Sequence, residues 1–193
     1  MTRQLIFVTH ADVNIDPRVA VTDWELSARG RDRHRRFAQS SVCDGVSWIA
    51  SSEERKAREG AEILAEAQGQ EAYVLPELHE NDRSATGYLP REEFERVADA
   101  FFAAPDESVR GWETARAAQA RIVGAVRHAA TRFPKGDGVI VSHGGVGALL
   151  MCYALGVGIS RDYDQPGQGG GNFFRLLLPD FKMTQGWTDI AAR

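Results

Sequence analysis

Short apolar segments rich in valine, isoleucine and phenylalanine alternate along this chain with longer segments of helical periodicity. The apolar segments are residues 5–9, 46–50, 73–75, 139–142 and 172–178. Runs of this length and composition are typical of strands that are buried on both faces of a sheet. The helical patterns cover residues 27–39, 53–68, 93–103, 112–133 and 145–155. The alternation predicts an α/β fold, a three-layer sandwich in which helices flank a mostly parallel central sheet.

Length and composition limit the class of protein. The 193 residues predict a single domain that spans residues 1–193, and a hydrophobic content of 43% is enough to bury a core. The net charge of −4 argues against a nucleic-acid partner, and no apolar run is long enough to cross a membrane. The N-terminal residues lack the pattern of a signal peptide, and the cysteines Cys43 and Cys152 are too few for a disulfide framework or a zinc site. We therefore expect a soluble, cytoplasmic protein.

Two histidines follow predicted strands directly. His10 comes after the apolar run LIFVT, and His143 comes after VIVS and precedes Gly144 and Gly145. Ligands of parallel sheets bind at the carboxyl ends of the strands, so both histidines are expected at the same edge of the sheet if their strands are parallel neighbours. The glycines open a predicted helix, whose free backbone N–H groups attract anions, and Gly144 is therefore a candidate substrate contact.

Two segments are predicted to be functional loops. Residues 77–90 are mostly polar and too long for a simple connection, and loops of this length are usually functional. Residues 166–172, with the sequence PGQGGGN, require unusual backbone angles.

Five motifs in order resemble those of the histidine phosphatases, also called the phosphoglycerate mutase-like superfamily. They are LIFVTHAD at the first strand, LSARG at residues 26–30, WIASSEERKARE around residue 56, LHE at residues 78–80, and VIVSHGGVGALL near residue 143. Each motif is weak alone, but five at the right spacing are a strong signal, and together they cover nearly the whole chain.

The resemblance implies a phosphatase that works through a phosphohistidine. His10 would be the nucleophile, with its second ring nitrogen donating to a backbone carbonyl. His143 would donate to the phosphate oxygens, and Glu80 would be the general acid and then the base. Neither a metal ion nor another cofactor is implied, because cationic side chains neutralise the phosphate.

The sequence departs from the family pattern at the phosphate-binding arginines. Thr9 replaces the arginine before the nucleophile, and Ala11 replaces the glycine after it. Lys56 stands where the second arginine is expected, and Arg55 is its neighbour. Lysine keeps the charge but lacks the bidentate fork of arginine. Losing one stabilising donor typically costs about 10²–10³ in rate, which weakens an enzyme without abolishing its activity.

Other residues are candidates to compensate for the missing arginine. Arg83 follows Glu80 in the polar loop, and Arg18 lies between His10 and the first helix. The hydroxyl of Thr9 could itself bind a phosphate oxygen as a neutral donor. For both arginines the alternative is a solvated surface position.

Two more histidines are expected to have no role in the chemistry. His34 lies in the basic segment RDRHRRF and is interpreted as a solvated residue on a helix face. His79 precedes Glu80 and is expected to face outward.

These features predict a metal-independent phosphatase that hydrolyses a small phosphomonoester. The altered Thr9 and Lys56 also fit a weak or inactive relative that binds a phosphorylated ligand or a partner protein. A mutase or a phosphocarrier that keeps a stable phosphohistidine uses the same residues, although the compact length is unusual for a mutase. The sequence predicts neither the substrate nor the oligomeric state.

Overall fold

A six-stranded mixed sheet forms the centre of the computed structural model, which describes residues 2–192. The strands are β1 (Arg3–Thr9), β2 (Val46–Ser51), β3 (Ala72–Val74), β4 (Asp137–Ser142), β5 (Asn172–Leu178) and β6 (Lys182–Asp189). Their order across the sheet is β3-β2-β4-β1-β5-β6. The first four strands in this order are parallel to one another, whereas β5 and β6 are antiparallel additions. The carboxyl ends of β2, β4 and β1 therefore lie side by side.

Helices cover both faces of the sheet. They are α1 (Ala28–Ala38), α2 (Arg55–Gln68), α3 (Arg91–Ala103), α4 (Ala115–Arg132) and α5 (Gly144–Leu155). Buried residues of α1 and α2 pack on one face, and buried residues of α3, α4 and α5 pack on the other. The prediction of a three-layer α/β fold is confirmed.

Successive side chains of β1 pack alternately into the two hydrophobic cores on either face of the sheet. Leu5 and Phe7 contribute to the core under α3, α4 and α5, whereas Ile6 and Val8 contribute to the core under α1 and α2. Successive side chains of a strand point to opposite faces, so a strand between two helical layers must be apolar throughout.

The helix ends follow local sequence signals. Ser27 caps α1 and accepts a hydrogen bond from the backbone N–H of Gly30 at 3.1 Å. Gly69 and Gly156, with φ of 64° and 68°, end α2 and α5 in the left-handed conformation that glycine tolerates.

Strand β6 was not predicted from the sequence. Its residues alternate between exposed and half-buried positions, and it lies at the edge of the sheet. An edge strand with one solvated face needs no apolar run, so the criterion that found the central strands fails here.

Within residues 2–192, no helix has the combination of length and apolar character that spanning a bilayer requires.

Candidate active site

The backbone of His10 is fixed from two sides at the end of β1. Its N–H donates to the carbonyl of Ser142 at 3.0 Å, and its carbonyl accepts from the N–H of Gly171 at 2.9 Å. Gly170, with φ of +65°, passes so close that a Cβ there would lie 2.2 Å from the His10 carbonyl oxygen. The predicted glycine-rich loop therefore holds the histidine in place, and only glycine permits this approach.

The His10 side chain borders a cavity of about 220 Å³. Its Nδ1 lies 3.0 Å from the carbonyl oxygen of Ala11, an arrangement in which Nδ1 donates and Nε2 keeps its lone pair. Burial, together with the charge of Lys56, lowers the pKa of His10 to about 4. The imidazole is therefore neutral at physiological pH, as a nucleophile requires.

His143 lies beside His10 at the end of β4. The two ring centroids are 5.3 Å apart, and the His143 side chain is fully buried. Its Nε2 lies 2.7 Å from the hydroxyl of Ser52 and 3.4 Å from Oε1 of Glu54. Burial lowers the pKa of His143 well below its usual value, against the opposing charge of Glu54.

Glu80 borders the same cavity and binds the first turn of α5. Its carboxylate accepts hydrogen bonds from the backbone N–H groups of Asn81 at 3.1 Å, Gly145 at 3.1 Å and Val146 at 2.9 Å. Arg121 holds the loop that contains Glu80 by donating to the carbonyls of His79 and Glu80 at 2.8 and 3.2 Å. The start of α5 was predicted to attract an anion, and the N–H groups of Gly145 and Val146 there are bound by a carboxylate of the chain itself.

Lys56 is buried in the site but is already neutralised. Its side chain is 3% exposed, and its ammonium donates to the carboxylate of Glu54 and, at 2.8 Å, to the carbonyl of Val21. Burial alone would raise the pKa of Glu54, but its interactions with His143 and Lys56 hold that pKa well below the usual value. Lys56 and Glu54 therefore form a buried ion pair.

Arg83 is the cation that remains open to a ligand. Its guanidinium makes no ion pair with any residue from 2 to 192 and lies over the rings of Phe94 and Trp112, 5.1 and 5.7 Å from their centroids. It borders the His10 cavity and two adjoining cavities of about 490 Å³ each. Its charge contributes to the lowered pKa of both His10 and His143, so it is near the centre of the site.

Two predicted cations lie outside this centre. Arg55 points to the surface, where it pairs with Glu25 and Glu59. The side chain of Arg18 is 88% exposed and pairs with Asp16 at the rim of one of the larger cavities. Arg55 does not join the site, because the first turn of α2 directs Lys56 inward and its neighbour outward.

Thr9 and Gly144 support the site through Gln165. The Thr9 hydroxyl is fully buried, donates to Oε1 of Gln165 at 2.7 Å and accepts from the N–H of Asn172 at 3.0 Å. The expected contact between this hydroxyl and a phosphate oxygen therefore lacks a free donor. A Cβ at Gly144 would lie 2.2 Å from Nε2 of Gln165, so glycine makes room for that side chain beside the His10 cavity.

The sequence analysis missed several residues of the site. They are Ser52, Glu54, Asn81 and Gln165. Asn81 is 5% exposed, borders the His10 cavity, and its Nδ2 has no hydrogen-bond partner among the described residues. Proximity to the motif residues Lys56 and Glu80 was the available signal for Glu54 and Asn81, whereas nothing local marks Gln165.

The prediction that His34 is solvated was wrong. His34 is fully buried, and its Nε2 accepts a hydrogen bond at 3.1 Å from the N–H of Ala11, the residue after His10. Helix α1 turns this face toward the sheet, and a Cβ at Gly60 of α2 would lie 2.9 Å from the ring. His79 is half-buried, with Nδ1 2.6 Å from the carbonyl oxygen of Glu80.

Burial of His34 predicts a loss of stability in mild acid. Burial lowers the pKa of His34 to about 3, whereas the unfolded chain takes up this proton near its ordinary value of 6.5. The neutral, buried ring makes its full contribution to stability above about pH 6.5. Below that pH the free energy of unfolding falls by roughly 1.4 kcal/mol per pH unit. We expect His34→Gln to reduce the slope of unfolding free energy against pH by about that amount between roughly pH 4.5 and 6, as urea titrations would measure. His128→Gln, at an exposed position of α4, is the control, and equal slopes in His34→Gln and wild type would contradict the prediction.

Between residues 2 and 192, no group of three or more His, Cys, Asp or Glu side chains is arranged to hold a metal ion.

Comparison with solved structures supports the fold. A mycobacterial glucosyl-3-phosphoglycerate phosphatase in complex with inorganic phosphate superimposes with a TM-score of 0.76 at 20% identity, over 99% of this chain and 100% of the other. Bacillus stearothermophilus YhfR superimposes with a TM-score of 0.79 at 21% identity, over 95% of each chain. At identities this low, the TM-scores show that the fold is shared and nothing more. No curated protein matches the sequence.

The family is shown by the sequence itself. The profile of the histidine phosphatase superfamily (branch 1) matches residues 5–168, from the first residues of β1 to the glycine-rich loop. This range contains His10, Glu80 and His143, which the fold gathers at one edge of the sheet. The chain belongs to the histidine phosphatase superfamily, branch 1.

Proposed function

We propose that this protein is a phosphomonoester hydrolase that works through a phosphohistidine on His10. The observation that carries the proposal is the arrangement around one cavity: a neutral His10 held through Nδ1, the ring of His143 at 5.3 Å, and Glu80 on the cavity wall. Superfamily membership supports the same chemistry.

In the first step, Nε2 of His10 attacks the phosphorus atom and the bond from phosphorus to the ester oxygen breaks. The leaving oxygen takes a proton from the carboxyl group of Glu80 and departs as an alcohol. The hydrogen bond from Nδ1 to Ala11 stabilises the positive charge that develops on the ring. The phosphoryl group is then bonded to His10.

In the second step, water attacks the phosphorus atom of the phosphohistidine. The carboxylate of Glu80 accepts the proton of this water, and the bond between phosphorus and Nε2 breaks. The products are inorganic phosphate and a neutral His10, so the cycle is complete and Glu80 is again protonated.

The phosphoryl oxygens need donors, and three are at hand in this arrangement. Arg83 supplies a guanidinium without an ion-pair partner, and Asn81 supplies an unpartnered buried amide on the same cavity. His143 supplies a third, with its ring centroid 5.3 Å from that of His10. In this scheme Arg83 substitutes for the arginine that Thr9 replaces.

The leaving group has room beside the reacting centre. The two cavities of about 490 Å³ share Val21, Arg83, Gly87 and Tyr88, and Arg83 also borders the His10 cavity. A phosphate bound near Arg83 could therefore carry a substituent into either of them. We propose a small phosphorylated metabolite as the substrate class.

Hydrolysis of an aryl phosphate across pH 5 to 8, with EDTA present, tests the proposal. Because the pKa of His10 is about 4, its ring stays neutral over this range and should not limit the rate. We expect turnover that EDTA leaves unchanged. Activity that EDTA removes would exclude the metal-independent mechanism.

The Glu54–Lys56 pair favours a second candidate, a relative that binds phosphorylated ligands without turning them over. Lys56, the motif cation, is occupied by Glu54, and Thr9 carries no charge. Retention of His10, Glu80 and His143 favours the hydrolase. A thermal-shift screen of phosphometabolites, followed by a turnover assay with each binder, separates the two: binding without turnover in every case would support the second candidate.

A further inference from the structure

Glu54 places a carboxylate beside the proposed phosphate site, on the wall of one of the larger cavities together with Glu80 and Arg83. Its side chain is 5% exposed, and it lies between the end of β2 and the start of α2. One carboxylate oxygen, Oε1, is 3.4 Å from Nε2 of His143 and accepts from the N–H of Glu80 at 2.9 Å. The other, Oε2, accepts from the ammonium of Lys56. A single buried carboxylate thus contacts three parts of the site.

These contacts are the ones that a phosphoryl oxygen would make. An anion next to His10 would meet the cation Lys56 and the imidazole of His143. Glu54 pairs with Lys56 and places Oε1 3.4 Å from Nε2 of His143, which also lies 2.7 Å from the Ser52 hydroxyl. A phosphoryl oxygen that reaches either group must displace Glu54 or lie close to its negative charge. At a few ångströms, repulsion between two partly buried charges is strong.

Glu80 occupies the other group of anion-binding donors. Its carboxylate accepts from the N–H groups of Gly145 and Val146 at the start of α5. Two carboxylates of the chain therefore bind Lys56 and the first N–H groups of α5, and Arg83 is left as the cation of the site without an ion pair among residues 2–192. Only one of these carboxylates, Glu80, has a part in the proposed chemistry.

We propose that Glu54 is an affinity-determining residue that acts as an internal competitor for the phosphoryl group. It neutralises Lys56 and places its negative charge 3.4 Å from Nε2 of His143, so that free inorganic phosphate binds weakly and the product of hydrolysis leaves readily. A substrate binds mainly through Arg83 and through contacts of its leaving group. The inference deepens the proposed function and rests on it for the identity of the ligand.

Binding of inorganic phosphate to Glu54→Gln tests the proposal. Glutamine keeps an oxygen for the N–H of Glu80 but removes the charge, so Lys56 loses its counterion. We expect the dissociation constant for phosphate at pH 7.5, measured by calorimetry, to fall at least about tenfold. Glu62→Gln removes one negative charge from an exposed position of α2 and should change the dissociation constant less than about twofold.

A second comparison remains informative if Glu54→Gln does not fold. In Lys56→Met the site keeps the charge of Glu54 and lacks its cation, whereas Lys56→Met/Glu54→Gln carries neither charge. We expect phosphate to bind at least about tenfold more tightly to the double variant than to Lys56→Met. Equal affinities within either pair would overturn the proposal.

Kinetics on an aryl phosphate separate this inference from the proposed function. In Glu54→Gln, KM and the inhibition constant of phosphate should both fall about tenfold, while a purely structural role would change kcat and thermal stability instead. Tighter phosphate binding with no turnover in any variant would reject the hydrolase and retain the role of Glu54. Turnover by wild type with unchanged phosphate binding in Glu54→Gln would reject the role of Glu54 and retain the hydrolase.

Discussion

Replacing His10 with alanine is expected to abolish turnover, with kcat for an aryl phosphate falling by at least about 10⁴-fold. The reason is that the variant has no nitrogen to form the bond to phosphorus, and none of its neighbours can take that position. His143 is fully buried, with Nε2 engaged by Ser52 and Glu54. His34 is also fully buried, and its Nε2 is engaged by the backbone N–H of Ala11.

Trapping of the covalent intermediate makes this test specific. Wild type quenched during turnover of a labelled phosphate ester should carry acid-labile label on His10, and His10→Ala should carry none. His128→Ala, at an exposed position of α4, should retain full activity and labelling. Unchanged turnover in His10→Ala would remove the phosphohistidine mechanism altogether.

Replacing Arg83 with methionine is expected to lower kcat/KM by about 10²-fold. Arg83 is the one cation of the site that has no ion-pair partner within the described residues, so its loss removes the charge that the neutralised Lys56 cannot supply. Methionine preserves much of the side-chain volume against Phe94 and Trp112. The effect should therefore come from charge and hydrogen bonding rather than from packing.

Arg83→Lys tests the geometry of the contact as well as its charge. Lysine keeps the charge without the planar fork, so we expect an activity between those of wild type and Arg83→Met. Arg36→Met, on the exposed face of α1, is the matched control and should leave kcat/KM within about twofold. Wild-type activity in Arg83→Met would show that another donor binds the phosphoryl group.

The charges of the site explain why these expectations differ in size. His10 forms and breaks bonds in the proposed mechanism, whereas Arg83 and Glu54 change only the electrostatic potential around it. Glu54 and Lys56 cancel each other at close range, and Arg83 is supported by aromatic rings rather than by a carboxylate. A site of this kind depends more strongly on one arginine than a site with several free cations would.

Much of the architecture followed from local patterns in the sequence. The central strands are apolar throughout because they are buried on both faces, and this property is visible in residues 5–8 and 139–141. Glycine marks the ends of α2 and α5 because the left-handed conformation there is unfavourable for other residues. Strand β6 escaped prediction because an edge strand with a solvated face has no such run.

The sequence predicted a position at the end of a strand for both His10 and His143. The pairing of β1 with β4, which the structure shows, then brought the two rings together at one edge of the sheet. The motif LHE predicted that Glu80 lies in the polar loop, which in the structure precedes α3.

Tertiary structure alone decided which polar side chains are buried and which partners they have. His34 and Arg36 lie in one basic helical segment, yet one is buried behind His10 and the other is exposed, because only one of them faces the sheet. Glu54 and Arg55 are adjacent, yet the first neutralises Lys56 in the site and the second pairs at the surface. A sequence records that charges are present, but their effect depends on distances and burial, which arise only when β2, β4 and the polar loop come together.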